Sequence, residues 1–231
     1  TFNNNTATGE VDLRSYAEEN VLAVEAKGNT LNASAKNYIY AKTFDAQDEF
    51  VANLCVSTKA ELDAAIANVK DSDIITLIAD IEATEVILIN RSVTINGNGY
   101  KITSNAGRVI RITASNINVT LNGVNVVSKA VVVYPNDIRG ISIDGEVTGT
   151  TLTLNNCSVD FTDASAYDWS YAVNQSGDAS TGNTIVINGG SYKGANVVNV
   201  RGTGHTVSID GATLTSLYAP NDLYYGVCVK T

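Results

Sequence analysis

The sequence predicts an all-β solenoid: short parallel strands wound over three faces and entered through one helix. Three observations predict it. Residues 86–128, VILINRSVTINGNGYKITSNAGRVIRITASNINVTLNGVNVVS, break into β-branched runs parted by Asn and Gly, with no helical period. A hydrophobic–polar–hydrophobic run ending in Asn or Asp, usually followed by Gly, recurs at Val93–Gly97, Val119–Gly123, Ile141–Gly145, Leu152–Asn156, Ile185–Gly189 and Val207–Gly211. A single stretch with helical periodicity stands directly before the first strands.

The first 50 residues carry weak signals. Residues 1–9 are polar and predict disorder unless a partner orders them. Val11–Leu13, Asn20–Ala26 and Ala35–Tyr40 read as short strands, with Lys27–Asn29 as a turn. Phe44 and Phe50 flank the acidic DAQDE stretch. The segment reads as a cap, a small leading subdomain or an arm that needs a neighbour. Residues 1–55 are therefore set apart as a cap or assembly segment, and 56–231 as the solenoid.

Residues 58–70 predict a helix. Ser57 or Thr58 can cap it, Glu61 stands three after Thr58, and Leu62, Ala65, Ile66 and Val69 share one face. Asp71–Asp73 ends it, and a helix here can cover the open end of the first coil.

From Ile74 the runs sort into three sets. The corner positions of the first set fall at 96, 122, 144, 155, 188 and 210, separated by 26, 22, 11, 33 and 22 residues. A second set is Val109–Ile112, Ala130–Tyr134, Tyr171–Asn174, Val197–Val200 and Tyr225–Val229. A third is Tyr100–Ile102, Val124–Val127, Ser158–Phe161, Ser191–Lys193 and Ala212–Leu214. Three recurring faces suit a coil with stacked Val, Ile and Leu inside and coils about 4.8 Å apart. Asn at the corners can hydrogen-bond along the stack. The competing reading is an antiparallel sandwich, since Asn–Gly is also a hairpin signal.

Residues 56–128 resemble the start of a right-handed parallel β-helix of the pectate-lyase-like superfamily. The resemblance rests on Val56–Ile66 (VSTKAELDAAI), Asp73–Leu77 (DIITL) and the Val93–Gly97 corner. It implies a right-handed, single-stranded parallel β-helix with an N-terminal capping helix. It implies no one function, because that superfamily holds lyases, hydrolases, epimerases, tailspikes and adhesins.

Composition narrows the function. The net charge is −9 over 231 residues. Residues 1–85 hold 15 acids and 6 bases, and residues 86–231 hold 9 of each. Nothing in this attracts a phosphate backbone, so no nucleic-acid partner is expected. No run approaches the roughly 18 apolar residues of a membrane span, and the absence of Met reads as a processed or trimmed start. Cys55, Cys157 and Cys228 form no CxxC. They read as three buried thiols, or as one bridge and a spare.

Catalytic signals are weak. A uronate lyase needs stacked carboxylates beside a base, yet the runs AVVVY, YAVNQ and VVNVR carry no Asp or Glu. A hydrolase needs a carboxylate pair. No zinc-ligand spacing occurs. No catalytic residue, metal or cofactor is assigned. His205, the only histidine, reads as an exposed turn residue. Arg139 reads as a surface charge, and Arg108 and Arg111 as pointing to opposite sides of their strand.

Two groups are candidate sites. The stretch 160–178 breaks the pattern with acids and aromatics, and Asp160, Asp163, Tyr167, Asp168 and Trp169 could contact a glycan. The last strand, with Tyr218, Tyr224, Tyr225, Val227 and Val229, reads as an uncovered coil end: either the natural chain continues past Thr231, or another copy fills it. The sequence therefore predicts an extracellular or cell-surface, non-enzymatic protein that associates end to end. A glycan-binding module is the alternative.

Overall fold

Alternation in short β-branched runs leaves one row of side chains facing inward on every strand, and the chain buries that row by winding. The computed structural model describes residues 2–7, 9, 11–13, 23–27, 29, 38–41, 43–46, 51–70, 73–131, 138–161, 170–216 and 226–230. Upstream lie β1 (Asp12–Leu13), β2 (Ala23–Ala26), β3 (Tyr38–Ala41), β4 (Thr43–Ala46) and β5 (Val51–Val56), then helix α1 (Lys59–Asn68). Six coils of three strands follow. They are β6 (Ile74–Leu77), β7 (Ile81–Ala83) and β8 (Ile87–Ile89), then β9 (Val93–Asn96), β10 (Lys101–Ser104) and β11 (Arg108–Ile112). Next come β12 (Asn118–Asn122), β13 (Asn125–Ser128) and β14 (Ile138–Ile143), then β15 (Thr151–Asn155), β16 (Ser158–Asp160) and β17 (Ser170–Gln175). The last two coils are β18 (Thr184–Asn188), β19 (Ser191–Gly194) and β20 (Asn196–Arg201), then β21 (Thr206–Asp210), β22 (Thr213–Ser216) and β23 (Val227–Lys230).

Every strand pairing is parallel, and strands one coil apart pair with each other. The first sheet runs β1-β3-β5-β6-β9-β12-β15-β18-β21, the second β8-β11-β14-β17-β20-β23 and the third β7-β10-β13-β16-β19-β22. β9 and β10 lie in different sheets, which excludes the antiparallel sandwich. The fold is a right-handed parallel β-helix with a capping helix.

The core is a set of columns along the axis. Leu54, Ile75, Ile95, Leu121, Leu154, Ile187 and Ile209 stand in register on the first sheet, and all but Ile209 are buried. Ile87, Ile110, Ile141, Val173 and Val198 form the matching column of the second sheet. Each such side chain contributes about 1.5–3 kcal/mol through burial.

Helix α1 begins as its sequence dictates. The Thr58 hydroxyl accepts from the Glu61 N–H, while the Glu61 carboxylate reaches back to the Ser57 N–H at 2.8 Å. The helix buries Leu62, Ala65 and Ile66 and packs on β5, β6, β7 and β8. It thus sits where the second and third sheets begin. The first sheet continues past it through β5, β3 and β1. The segment set apart as 1–55 therefore supplies strands to the main sheet, and residue 55 falls inside β5. A second strip lies alongside, where β2 pairs with β4 and the Phe2 and Asn4 N–H groups donate to Glu25 and Lys27 carbonyls.

The assignment of runs to faces needs two corrections. Ile141–Gly145 belongs to the second sheet, in β14, and not to the corner set. Removing it leaves coil lengths of 26, 33, 33 and 22 residues along the corner column. Alternation is the same on every face, so the motif alone cannot say which face it occupies. The Ala130–Tyr134 run is not the second-face strand of its coil: Ala130 and Val131 lie outside any strand, 132–134 lie outside the described residues, and Ile138–Ile143 takes that place.

Candidate functional site

The corner of the first sheet carries a side-chain ladder. Asn96, Asn122, Asn155 and Asn188 stand in register, and the amides of Asn122, Asn155 and Asn188 each donate to the Asn one coil before, at 2.8 Å in all three steps. Asp210 holds the next rung. After Asn96 the chain turns through Gly97, packed against the next coil, and after Asn122 through Gly123, which has positive φ and open space around it. A methyl on Gly97 would collide with the Gly123 carbonyl, which only Gly avoids.

A second polar cluster occupies the corner between the second and first sheets. Gln175 faces inward in a column otherwise made of Ile89, Ile112, Ile143 and Val200. Its amide donates to the Ser180 hydroxyl and accepts from the Asn183 amide, both at 2.8 Å. Asn183 also donates to the Val147 carbonyl and accepts from the Thr150 N–H. Gln175, Ser180, Asn183 and Thr150 are all buried, so this network satisfies polar groups that would otherwise be costly. His205 completes it. Its Nδ1 accepts from the Asn183 N–H at 3.0 Å, so Nε2 carries the proton, which points to the Arg201 carbonyl at 3.1 Å. The histidine is half-buried and bridges two coils, which corrects its reading as an exposed turn residue. The signal for this cluster was the polar Gln inside an apolar run.

Arg108 and Arg111 converge on one carboxylate, against the expectation that they diverge. Arg111 Nε and Nη2 meet Asp144 at 2.7 and 2.6 Å, and Arg108 Nη1 meets it at 3.4 Å. The Asp144 hydrogen bond raises the Arg111 guanidinium further above its ordinary range. Strand β11 is irregular, with Val109 and Ile110 both buried, and this break in alternation turns both arginines outward. Arg139, half-buried, donates to the Ser176 hydroxyl at 2.8 Å and is not simply a surface charge.

Of the glycan-contact candidates, Asp160 ends β16 and pairs with Lys193 Nζ one coil on, at 3.0 Å. Asp163, Tyr167, Asp168 and Trp169 lie outside the described residues, as do Tyr218, Tyr224 and Tyr225. Val227 and Val229 lie on β23, paired with Val198 and Val200. The three cysteines are free, so the bridge reading falls. Cys157 is buried, and burial pushes its thiol up to about 11. Burial also raises Cys55, which is half-buried, and Tyr192, whose phenol lies in the lumen without a hydrogen-bond partner.

The last coil differs from those before it. Its inward residues Val207, Ile209 and Leu214 are half-exposed, whereas their neighbours one coil back, Ile185, Ile187 and Tyr192, are buried. Val227 is 44% exposed above a fully buried Val198. Among the described residues, no three His, Cys, Asp or Glu side chains are grouped to hold a metal ion, and no helix is long and apolar enough to cross a membrane. No family model matches the chain, and neither does any curated protein or solved structure.

Proposed function

We propose that this is a non-enzymatic structural β-helix protein that associates end to end, at the cell surface or outside the cell. The observation that carries the reading is the half-exposed apolar coil formed by Val207, Ile209, Leu214 and Val227. A second copy is the natural occupant, because both edges of the first sheet, β1 and β21, present parallel strands. Head-to-tail addition would continue the sheet. Such a contact is heterologous and propagates into a filament rather than closing as a dimer. Tyr218, Tyr224, Tyr225 and Val229 are proposed to flank the contact. The surface placement follows the β-helix resemblance.

Charge on the edge tests the reading. Leu214→Lys and Val227→Lys should convert high-order species to monomer by light scattering while leaving the circular dichroism of the coils intact. A natural chain that stays monomeric at high concentration would remove the assembly reading. Glycan binding is the alternative, through Asp160, Asp163, Tyr167, Asp168 and Trp169. Loss of an array-detected glycan on Trp169→Ala would support it.

A further inference from the structure

The chain holds four Asn–Gly pairs, at 96–97, 98–99, 122–123 and 188–189. Three belong to the corner ladder, and in each the glycine N–H is committed to the next coil. Gly97 donates to the Asn122 carbonyl at 2.8 Å, Gly123 to Asn155 at 2.7 Å and Gly189 to Asp210 at 2.7 Å. Their asparagine amides are also tied along the ladder. The fourth pair is placed differently. Asn98 and Gly99 are the exposed central residues of a turn closed by the Tyr100 N–H on the Gly97 carbonyl. Both have positive φ, 52° and 85°, the pattern of a type I′ turn. The Gly99 N–H takes part in no hydrogen bond among the described residues. The Asn98 amide makes a single long contact, 3.4 Å to the Leu77 carbonyl.

We propose that Asn98 is a site of spontaneous deamidation, and that the ladder protects the other three pairs. The Gly99 nitrogen attacks Asn98 Cγ and gives up its proton. The new N–Cγ bond forms as the Cγ–Nδ2 bond breaks, and ammonia leaves. Water then opens the cyclic imide at either carbonyl, yielding aspartate or isoaspartate. No oxidation or reduction is involved. Glycine suits the attack because it has no side chain to obstruct it, and a methyl at Gly99 would meet nothing, so the turn is open to the necessary movement. At Gly97, Gly123 and Gly189 the same nitrogen is free only after the inter-coil hydrogen bond opens. The isoaspartyl product lengthens the backbone of the turn that joins β9 to β10.

The test is to age the natural chain in mildly alkaline buffer and follow the four pairs by peptide mass mapping and isoaspartyl methyltransferase labelling. A parallel sample is aged in urea. In the folded protein Asn98 should convert at least about fivefold faster than Asn96, Asn122 and Asn188, the ratio one hydrogen bond of ordinary net strength gives. In urea the four should convert at similar rates. Asn98→Gln should abolish the early isoaspartyl signal in the folded sample. Equal rates at Asn98 and Asn122 or Asn188 in the folded chain would overturn the proposal. So would an Asn98 that converts in urea but not when folded.

Discussion

Leu121 shows at the scale of one side chain how this fold holds together. It lies between Ile95 and Leu154 in register and is buried. Leu121→Ala should cost about 2–5 kcal/mol, read as a shift in the urea midpoint, because rigid coils above and below cannot close the gap. An effect below 1 kcal/mol, on the order of a surface change, would show that the column relaxes. Cys157 makes a second prediction. Burial holds its thiol up to about 11 against an ordinary 9.0, so the unfolded chain releases this proton first. Stability is therefore full below about pH 9 and falls by about 1.4 kcal/mol per unit until about pH 11. Tyr192 pulls in the same direction. Denaturant midpoints across this window should fall less steeply in Cys157→Ala, and an unchanged slope would remove Cys157 as a cause. Inward residues such as Leu121 were legible from alternation alone. The corner polar residues were not, since Gln175 and Asn183 meet around the turn between β17 and β18, and a polar Gln in an apolar run does not say which partner it finds.

Elements were legible where local chemistry fixes them. The capping spacing of Thr58 and Glu61 marks the start of α1 and is realised as a reciprocal pair of hydrogen bonds with Ser57. Thr58→Ala should cost about 1 kcal/mol, measured by thermal melting, and Thr58→Ser should restore most of it. If Thr58→Ala melts like the parent, the helix is held by Leu62 and Ile66 alone. The strands of the second and third sheets were also readable from β10 and β11 onward, apart from β14; β7 was not read as a strand and β8 was not assigned to a face. There the sequence offered ISIDG, a corner motif in appearance, whose Asp144 serves the Arg111 ion pair rather than the Asn ladder. The early strands β1 and β3 were readable as strands, but their sheet was not. A strand of two to four residues carries too little pattern to name its neighbour.

At the scale of the whole molecule, the nine strands of the first sheet span eight steps of about 4.8 Å, roughly 38 Å along the axis. That length exceeds the roughly 24 Å of the six complete coils, and the difference is the contribution of β1, β3 and β5 beyond the helix. If coils add between molecules as proposed, the filament repeat seen by electron microscopy should be nine steps, about 43 Å, which includes the step to the next molecule, and a repeat of six steps, about 29 Å, would place the junction at α1 instead. The unequal coils have another consequence. The 33-residue coils keep perfect register with their neighbours in the Asn column, and their longest connections run from β13 to β14 and from β16 to β17. Length is absorbed along one margin of the molecule while the spine stays periodic. Coils of 26, 33 and 22 residues share that one spine, so the length of a connection is the quantity this scaffold leaves open.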